Sequence, residues 1–269
     1  MRWEGRINRS DLTDFFGISV PQASLDISRY LELAPGNAIY DRSSKVYLAT
    51  DQFKPLFPSN EPSRYLNELL ARESGVLAPE LSFLGWTPPT AVVAAPTRQL
   101  HPATVVAVLA AIRLRVCLRV VYQSMSPGEP KPRIIAPHGV GFDGYRWHVR
   151  AFCHTRNEFR DFVMARMLSV ELIEEAGTDG DDDQPWRRFV DLVIAPNPRL
   201  PNSHRKVIAL DYGMENEEVT VRCRQALLFY SLRRLGLLGE AARDPQVQQI
   251  VLKNRAAILG LLPLAKEGP

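Results

Sequence analysis

The residues with the clearest potential for chemistry lie in a strand-like stretch, Tyr145 to Phe152, in the middle of the chain. Alternation at period two puts apolar side chains on one face of such a strand and charged or aromatic side chains on the other. The apolar, core-like face carries Tyr145, Trp147, Val149 and Ala151, and the second face carries Arg146, His148, Arg150 and Phe152. Arginine binds phosphate with a rigid fork and stacks on planar rings, so the second face predicts a receptor for an anionic, planar ligand.

More cationic side chains follow at Arg156, Arg160 and Arg166. Neighbouring arginines repel one another unless an anion, a carboxylate partner or open solvent accompanies them. A second interpretation therefore stays open, namely a salt-bridged strand surface in which Glu158 and Asp161 are the local partners. The two interpretations differ in what neutralises the arginines, a bound ligand or the chain itself.

The length and amino-acid composition of the chain indicate a multidomain protein of ordinary composition. With 269 residues, 45% of them hydrophobic and 23% charged, about two or three domains with real cores are expected. A net charge of +3 does not by itself imply nucleic acid. The cysteines at 117, 153 and 223 are odd in number and far apart, which predicts reduced thiols of a cytoplasmic protein. No signal peptide or apolar run near ~18 residues is found, so no membrane segment is predicted.

The first fifty residues predict two short helices followed by a hairpin. The first helix is expected to have Ser10 as its N-cap and to end at Gly17, and the second to begin at the N-cap Ser19, with Gln22 completing a capping box. A hairpin over 38–48 follows. This order predicts a winged helix-turn-helix, in which the second helix reads the major groove and the wing touches phosphate. The candidate DNA-binding residues are Arg9, Ser19, Gln22, Ser24, Ser28, Arg29, Arg42, Ser44 and Lys45.

An alternative for this region is a generic helix pair with a hairpin and no role in DNA binding. A helix-turn-helix normally has a supporting helix before the pair, and Arg2, Trp3 and Glu4 are interpreted as the end of such a helix. A connector over 53–62, a short helix over 64–70, and a proline-rich stretch from Thr87 to Pro96 follow; the last predicts a domain boundary.

The remainder predicts two further modules. A helix over 102–112 and then five short strands with tight turns are typical of a small SH3- or Sm-like β-barrel. Residues 179–185 are expected to form an exposed acidic linker. Strands over 190–195, 207–211 and 218–223, with helices over 225–238 and 245–262, predict an α+β extension. We therefore predict an α+β multidomain protein with domains at 1–95, 96–178 and 186–269.

In this arrangement the chain resembles the WYL-domain transcription regulators, and in detail the subgroup that lies beside bacterial anti-phage defence operons and represses them. The resemblance covers nearly the whole chain and rests on segments 5–12, 21–24, 29–35, 137–139 and 146–151. Of the Trp-Tyr-Leu triplet, Trp147 is present and is followed by His148 and Val149. The resemblance implies an effector pocket, to which the cationic strand face adds His148 and Arg150. The residues implied are Tyr122, Ser124, His138, Arg160 and Arg166.

These expectations favour a homodimeric, ligand-responsive repressor that binds an inverted-repeat operator in double-stranded DNA. An anionic nucleotide or oligonucleotide is the expected effector, and no cofactor or metal is expected. An Sm-like RNA- or single-strand-binding adaptor is the alternative, because the barrel arginines permit it. Catalysis is not expected, since the chain has no P-loop, HExxH or GxSxG motif, and the side chains of the adjacent Cys153 and His154 diverge on a strand.

Overall fold

The structure is a computed structural model that describes residues 1–57, 62–94, 96, 98–125, 128–239, 242 and 244–262. Contacts between backbone positions divide it into two units, Met1–Pro96 and Thr97–Pro269. Within the described residues, none of the helices combines the length and the apolarity needed to cross a bilayer.

The first unit contains the predicted helix pair and hairpin. Its elements are β1 (Arg6–Ile7), α1 (Arg9–Phe16), α2 (Val20–Leu33), β2 (Ala38–Asp41), β3 (Val46–Ala49) and α3 (Pro62–Glu73). Strand β1, which the sequence did not indicate, pairs with β3 and completes a three-stranded antiparallel sheet in the order β1-β3-β2. Residues 2–4 form a turn rather than the end of a supporting helix. Part of the predicted connector, residues 58–61, lies outside the described residues.

Local capping explains where the first two helices begin and corrects two details. Asn8, and not Ser10, is the N-cap of α1: its Oδ1 accepts from the backbone N–H of Asp11, and Oδ2 of Asp11 accepts from the backbone N–H of Asn8. Gly17 ends α1 in the left-handed region at φ 64°, as predicted, because that region favours glycine. Ser19 caps α2 as predicted, but the Gln22 side chain does not close a capping box.

The second unit begins with α4 (Pro102–Leu114) and a five-stranded antiparallel sheet, which we call the central sheet. Its strands are β4 (Val116–Tyr122), β5 (Lys131–Phe142), β6 (Trp147–Cys153), β7 (Glu158–Val163) and β8 (Met167–Ala176). The order is β7-β6-β5-β4-β8, so the last strand folds back beside the first. Among the described residues β7 and β8 do not pair with each other, so the closed SH3/Sm-like barrel is not confirmed. Residues 126 and 127, in a predicted turn, lie outside the described residues.

The central sheet has two different faces. Its inner face packs against α4 and contributes Leu118, Val120, Ile135, Val149 and Ala151 to one core. The predicted alternation of β6 is therefore right at Val149 and Ala151. It is wrong at Tyr145 and Trp147, which are 69% and 44% exposed, because β6 begins only at Trp147 and the buried core begins at Val149. The Trp147 ring packs at a tilt on Phe142.

The rest of the second unit forms a smaller sheet with short helices. Its elements are α5 (Gln184–Arg187), β9 (Phe189–Pro196), α6 (Asn202–Asp211), β10 (Val219–Arg224), α7 (Leu228–Arg234), β11 (Ile250–Leu252) and α8 (Arg255–Leu259). The sheet order is β10-β9-β11, and a second core lies beneath it. The α+β class is right, but three details are wrong. Residues 207–211 are helical, the predicted helix over 225–238 is regular only from 228 to 234, and the one over 245–262 contains strand β11.

Candidate functional sites

Helix α2 presents the first candidate site, and its own N-terminus fixes where that site begins. Oγ of Ser19 accepts a hydrogen bond from the backbone N–H of Gln22 at 3.3 Å, and Pro21 occupies the first turn, where its missing N–H costs nothing. Ala23 and Ile27 are buried against the rest of the unit. The opposite face of α2 is consequently directed to solvent.

A stripe of three polar side chains and one apolar side chain runs along this exposed face at the helical spacing i, i+3, i+4 and i+7. It consists of Gln22, Leu25, Asp26 and Arg29, all of them exposed. Nε2 of Gln22 donates to Oδ1 of Asp26 at 2.8 Å. Gln22 and Arg29 are among the predicted DNA-binding residues, and Leu25 and Asp26 are not, although their spacing from Gln22 indicates the same face.

The two predicted serines of α2 are less available than the stripe. The hydroxyl of Ser24 donates to the carbonyl oxygen of Val20, and that of Ser28 to the carbonyl oxygen of Ser24, both at 2.9 Å. Each hydroxyl has a single hydrogen, so in this arrangement both serines can offer only acceptor lone pairs. Ser24 is also half-buried, whereas Ser28 and the predicted Arg9 on α1 are exposed.

The turn between β2 and β3 is held by Asp41. Its carboxylate accepts from the backbone N–H and hydroxyl of Ser43 and from the hydroxyl of Ser44, and these bonds, the one from Ser44 first, lower the pKa of Asp41 to about 2. The turn leaves Arg42 and Lys45 exposed, with Lys45 in the left-handed region at φ 58°. A fixed turn that presents two cations is suited to phosphate contacts, with Ser44 serving the turn.

The outer face of the central sheet carries the second candidate site, and there the predicted cations meet carboxylates of the chain. Arg150 donates from Nε to Oδ2 of Asp183 at 2.6 Å and from Nη2 to Oδ1 at 3.0 Å. Nε2 of His138 lies 3.0 Å from the same Oδ2. Asp183 is fully buried, whereas the rest of the predicted linker over 179–185 is exposed apart from the half-buried Gly180. Burial alone would raise the pKa of Asp183, but the hydrogen bonds from His138 and Arg150 lower it to about 2.

The same face continues into a second set of buried polar contacts. Nη1 of Arg150 donates to Oδ1 of Asp161 at 3.2 Å, and the hydroxyl of Tyr230 on α7 donates to Oδ2 of Asp161 at 3.2 Å. Burial first, and then Asp161, raise the pKa of Tyr230. His148 is buried beside the Tyr230 ring and contacts Oδ2 of Asp143 through Nε2 at 2.9 Å. Arg150 is therefore paired with carboxylates of the chain, one of them the Asp161 that the salt-bridged interpretation named, and His148 contacts a third carboxylate. A contact of either side chain with an effector stays a prediction.

Two glycines allow the acidic segment, residues 179–183, and α5 to pack directly on β5. A Cβ on Gly139 would lie 2.6 Å from Cζ2 of Trp186, and a Cβ on Gly180 would lie 2.7 Å from Cβ of His138. Asp183 is also the N-cap of α5, since Oδ1 accepts from the backbone N–H of Trp186 at 3.2 Å. The outer face is thus covered by a closely fitted segment of the same chain.

The other residues of the predicted effector pocket lie elsewhere. The hydroxyl of Tyr122 accepts from the backbone N–H of Val163 within the inner core, and the backbone N–H of Gln123 donates to the carbonyl oxygen of Arg166. Ser124 and Arg166 are therefore neighbours at the corner where β4 ends and a 3-10 turn, Met164–Arg166, precedes β8. His138 lies on the outer face instead. The five pocket residues do not form one cluster.

The arginines of this pocket also differ in their partners. Nη1 of Arg160 on β7 donates to Oε1 of Glu158 at 3.1 Å, a half-exposed pair that the salt-bridged interpretation anticipated. The side chain of Arg166 is half-buried, and its guanidinium has no hydrogen bond or ion pair within the part of the chain that the structure describes.

Comparison with known proteins places the chain in a family. The winged helix-turn-helix domain of the BrxR transcriptional regulator matches residues 1–71, the WYL domain matches 97–172, and the BrxR C-terminal dimerization domain matches 189–258. The DNA-binding transcriptional repressor CapW of Stenotrophomonas maltophilia is 45% identical over 256 residues, covering 94% of this chain and 86% of the relative. The chain belongs to the CapW family of DNA-binding transcriptional repressors.

Two further relatives named CapW have similar sequence identity and coverage. CapW of Pseudomonas aeruginosa is 45% identical over 263 residues, or 97% of this chain and 88% of the relative, and CapW of Escherichia coli (strain KTE188) is 43% identical over 269 residues with the same coverage. A solved structure, proteasome accessory factor B/C (PafBC) of Arthrobacter aurescens, is 14% identical with a TM-score of 0.29, over 62% of this chain and 27% of that one, which is too low to indicate a shared arrangement. The CapW family consists of regulators rather than enzymes, which confirms the resemblance and the prediction of no catalysis.

Proposed function

We propose that this chain is a sequence-specific transcriptional repressor that binds duplex DNA as a homodimer, with α2 in the major groove. The observation that carries the proposal is the exposed stripe of α2, in a chain 45% identical to a relative named a DNA-binding transcriptional repressor. The exposed cations Arg29, Arg42 and Lys45 support phosphate contacts around it. The match to a C-terminal dimerization domain supports a symmetric dimer on an inverted repeat.

The test is a footprint on duplex DNA from the region upstream of the chain's own gene, with the mass of the complex measured by sedimentation. A dimer should protect two half-sites whose centres lie one helical turn, about 34 Å, or a multiple of it apart. Tighter binding to single-stranded RNA than to any duplex would contradict the repressor and favour the alternative, an Sm-like RNA- or single-strand-binding adaptor.

We further propose that the WYL domain binds an anionic effector, a nucleotide or short oligonucleotide, at the corner of Ser124 and Arg166, where β4 ends after Tyr122, with Arg160 on β7 as the second predicted cation. The half-buried Arg166 supports this, because its guanidinium has no ion pair among the described residues and can offer a fork to phosphate. An effector of this kind would change DNA affinity only if it bound the DNA-competent and incompetent shapes unequally.

Substitution of both arginines tests the effector site separately from DNA binding. Arg160→Gln together with Arg166→Gln should leave operator binding unchanged in a gel shift and abolish release by an added oligonucleotide. Loss of operator binding with unchanged oligonucleotide binding would show that the division into two sites is wrong. Arg119→Gln, which removes an exposed cation of the same sheet, is the control for the loss of positive charge.

Three broader expectations complete the proposal. We propose domain boundaries at 1–95, 96–178 and 186–269, which the division of contacts at Pro96 and the ranges of the matched domains support. Regulation of an anti-phage defence operon follows from the resemblance to the defence-associated subgroup, and action in the cytoplasm from the three widely spaced cysteines. Inspection of the neighbouring genes and expression of those genes in a deletion strain would test the first.

A further inference from the structure

The stripe on α2 contains a contact between two side chains that both face the groove in the proposed function. Gln22 and Asp26 are one helical turn apart, and Nε2 of Gln22 donates to Oδ1 of Asp26 at 2.8 Å. We propose that Asp26 is a positioning residue for specificity: it fixes the side-chain amide of Gln22, so that the pair selects adenine over guanine. This inference rests on the proposed function, in which α2 lies in the major groove.

The chemistry follows from the inventory of donors and acceptors. A glutamine amide has two N–H donors and one carbonyl oxygen. Because Asp26 engages one N–H, Gln22 presents one donor and one acceptor to DNA. Adenine offers an acceptor, N7, and a donor, N6–H, at its major-groove edge, and this pattern is matched. Guanine offers two acceptors, N7 and O6, and would require both N–H groups.

The neighbouring side chain of the stripe fits the same base pair. Leu25 is 66% exposed and lies three residues from Gln22 on the same face of α2. Apolar side chains contact the C5-methyl group of thymine, which is the partner of adenine. An adenine read by Gln22 and a thymine methyl covered by Leu25 would together select an A·T pair in one orientation.

The expected size of the effect can be bounded. In the free protein an exposed Gln–Asp pair one turn apart favours the bonded arrangement by roughly twofold, since such pairs are weak in water. In the groove, where water is displaced, the hydrogen bond is stronger, and a wrong base at a bidentate contact typically costs about fivefold to a hundredfold in affinity. We therefore expect Asp26 to account for a fivefold or larger change in the ratio of adenine to guanine affinity.

The competing role for Asp26 is a general one, because a carboxylate near DNA repels phosphates whatever the base. The full-length protein should be tested by selection from a random duplex library and then by fluorescence anisotropy on two duplexes that differ only by adenine or guanine at the selected position. Gln22→Ala should abolish the preference at one position of each half-site. Asp26→Ala should reduce the adenine-to-guanine ratio at that same position by fivefold or more.

Two further variants separate orientation from charge. Asp26→Asn keeps an oxygen that accepts from Gln22 but removes the charge, so it should retain the preference while binding both duplexes more tightly. Glu32→Ala removes an exposed carboxylate of the same helix that lies ten residues from Gln22 and does not contact it, and it should leave the preference unchanged.

The outcomes distinguish this inference from the function on which it rests. If Asp26→Ala changes the affinity for both duplexes by the same factor, Asp26 acts only through its charge and the positioning role is wrong. If Gln22→Ala leaves the selected sequences unchanged although the wild type selects them, α2 is not the reader, and both the inference and the placement of α2 fail. Selection of no duplex by the wild type would overturn the proposed function as well.

Discussion

Removal of Arg150 is the perturbation with the most sharply defined structural consequence. Its guanidinium bonds both oxygens of Asp183 and one oxygen of Asp161, and its side chain is only 9% exposed. In Arg150→Met the apolar stem is retained and the charge is lost. Asp183, which is fully buried, then keeps only His138 and the backbone N–H of Trp186 as donors.

The expected loss of stability depends on Asp183, whose buried charge remains when Arg150 is replaced. Breaking a buried ion pair by removing one partner costs about 3–5 kcal/mol, because the other charge is left without compensation in a place that water does not reach. The ion pair of Arg119 and Glu171 is also short, at 2.6 Å, but its side chains are 51% and 64% exposed. Such exposed pairs contribute about 0–1 kcal/mol. Arg119→Met is therefore the matched control in the same sheet.

The assay is urea unfolding followed by circular dichroism, with the free energy of unfolding obtained from each variant. We expect Arg150→Met to lose several times more stability than Arg119→Met. In the double variant Arg150→Met with Asp183→Asn, the total loss should be about 2 kcal/mol or more below the sum of the two single losses, because the second change removes the stranded charge. If Arg150→Met costs no more than the control, the pair does not hold the acidic segment against the sheet.

Three further outcomes follow from the same contacts. Because the pKa of Asp183 is lowered to about 2 from an ordinary 3.8, its carboxylate stabilises the fold above pH ~4, and this contribution is lost as the pH falls towards 2; acid titrations of the wild type and Asp183→Asn should differ in that window. Arg29→Ala should weaken binding to all duplexes about equally and reduce the slope of log affinity against log salt by about 1. Gly139→Ala should lower stability by about 1–3 kcal/mol in thermal unfolding, since its Cβ would meet the rigid ring of Trp186, whereas Gly239→Ala, with open space around it, should not.

The DNA-binding half could be predicted from the sequence because its determinants are local. The Ser19 cap, the apolar spacing of α2 and the turn at Asp41 each involve residues within a few positions of one another. The errors there are small and have local causes. Asn8 outcompetes Ser10 as the N-cap because the side chains of Asn8 and Asp11 each accept from the backbone N–H of the other. Gln22 bonds Asp26 instead of its own N-cap.

The outer face of the central sheet could be predicted only in part, because its partners are distant in sequence. Alternation correctly placed His148 and Arg150 on one face, but the carboxylate that neutralises Arg150 is Asp183, 33 positions later. An acidic run rich in Asp and Gly is typical of a solvated linker, and nothing in its composition signals that its last residue is buried. The close approaches at Gly139 and Gly180 and the bonds that Asp183 accepts from Arg150 account for the docking, and they become visible only in the folded chain.

Carboxylates of the chain already bond the cations on the outer face of the central sheet, which disfavours that face as an effector site. A ligand at Arg150 would have to displace Asp183, and it would then leave a buried carboxylate without the two bonds from that guanidinium. That displacement costs free energy before any new contact forms, so an anion binds more readily where a cation has no internal partner. The corner of Ser124 and Arg166 meets this condition within the described residues. An effector there would also lie directly before β8, which is the edge strand that pairs with β4 in the central sheet. Its binding can therefore change the pairing of β8 with β4.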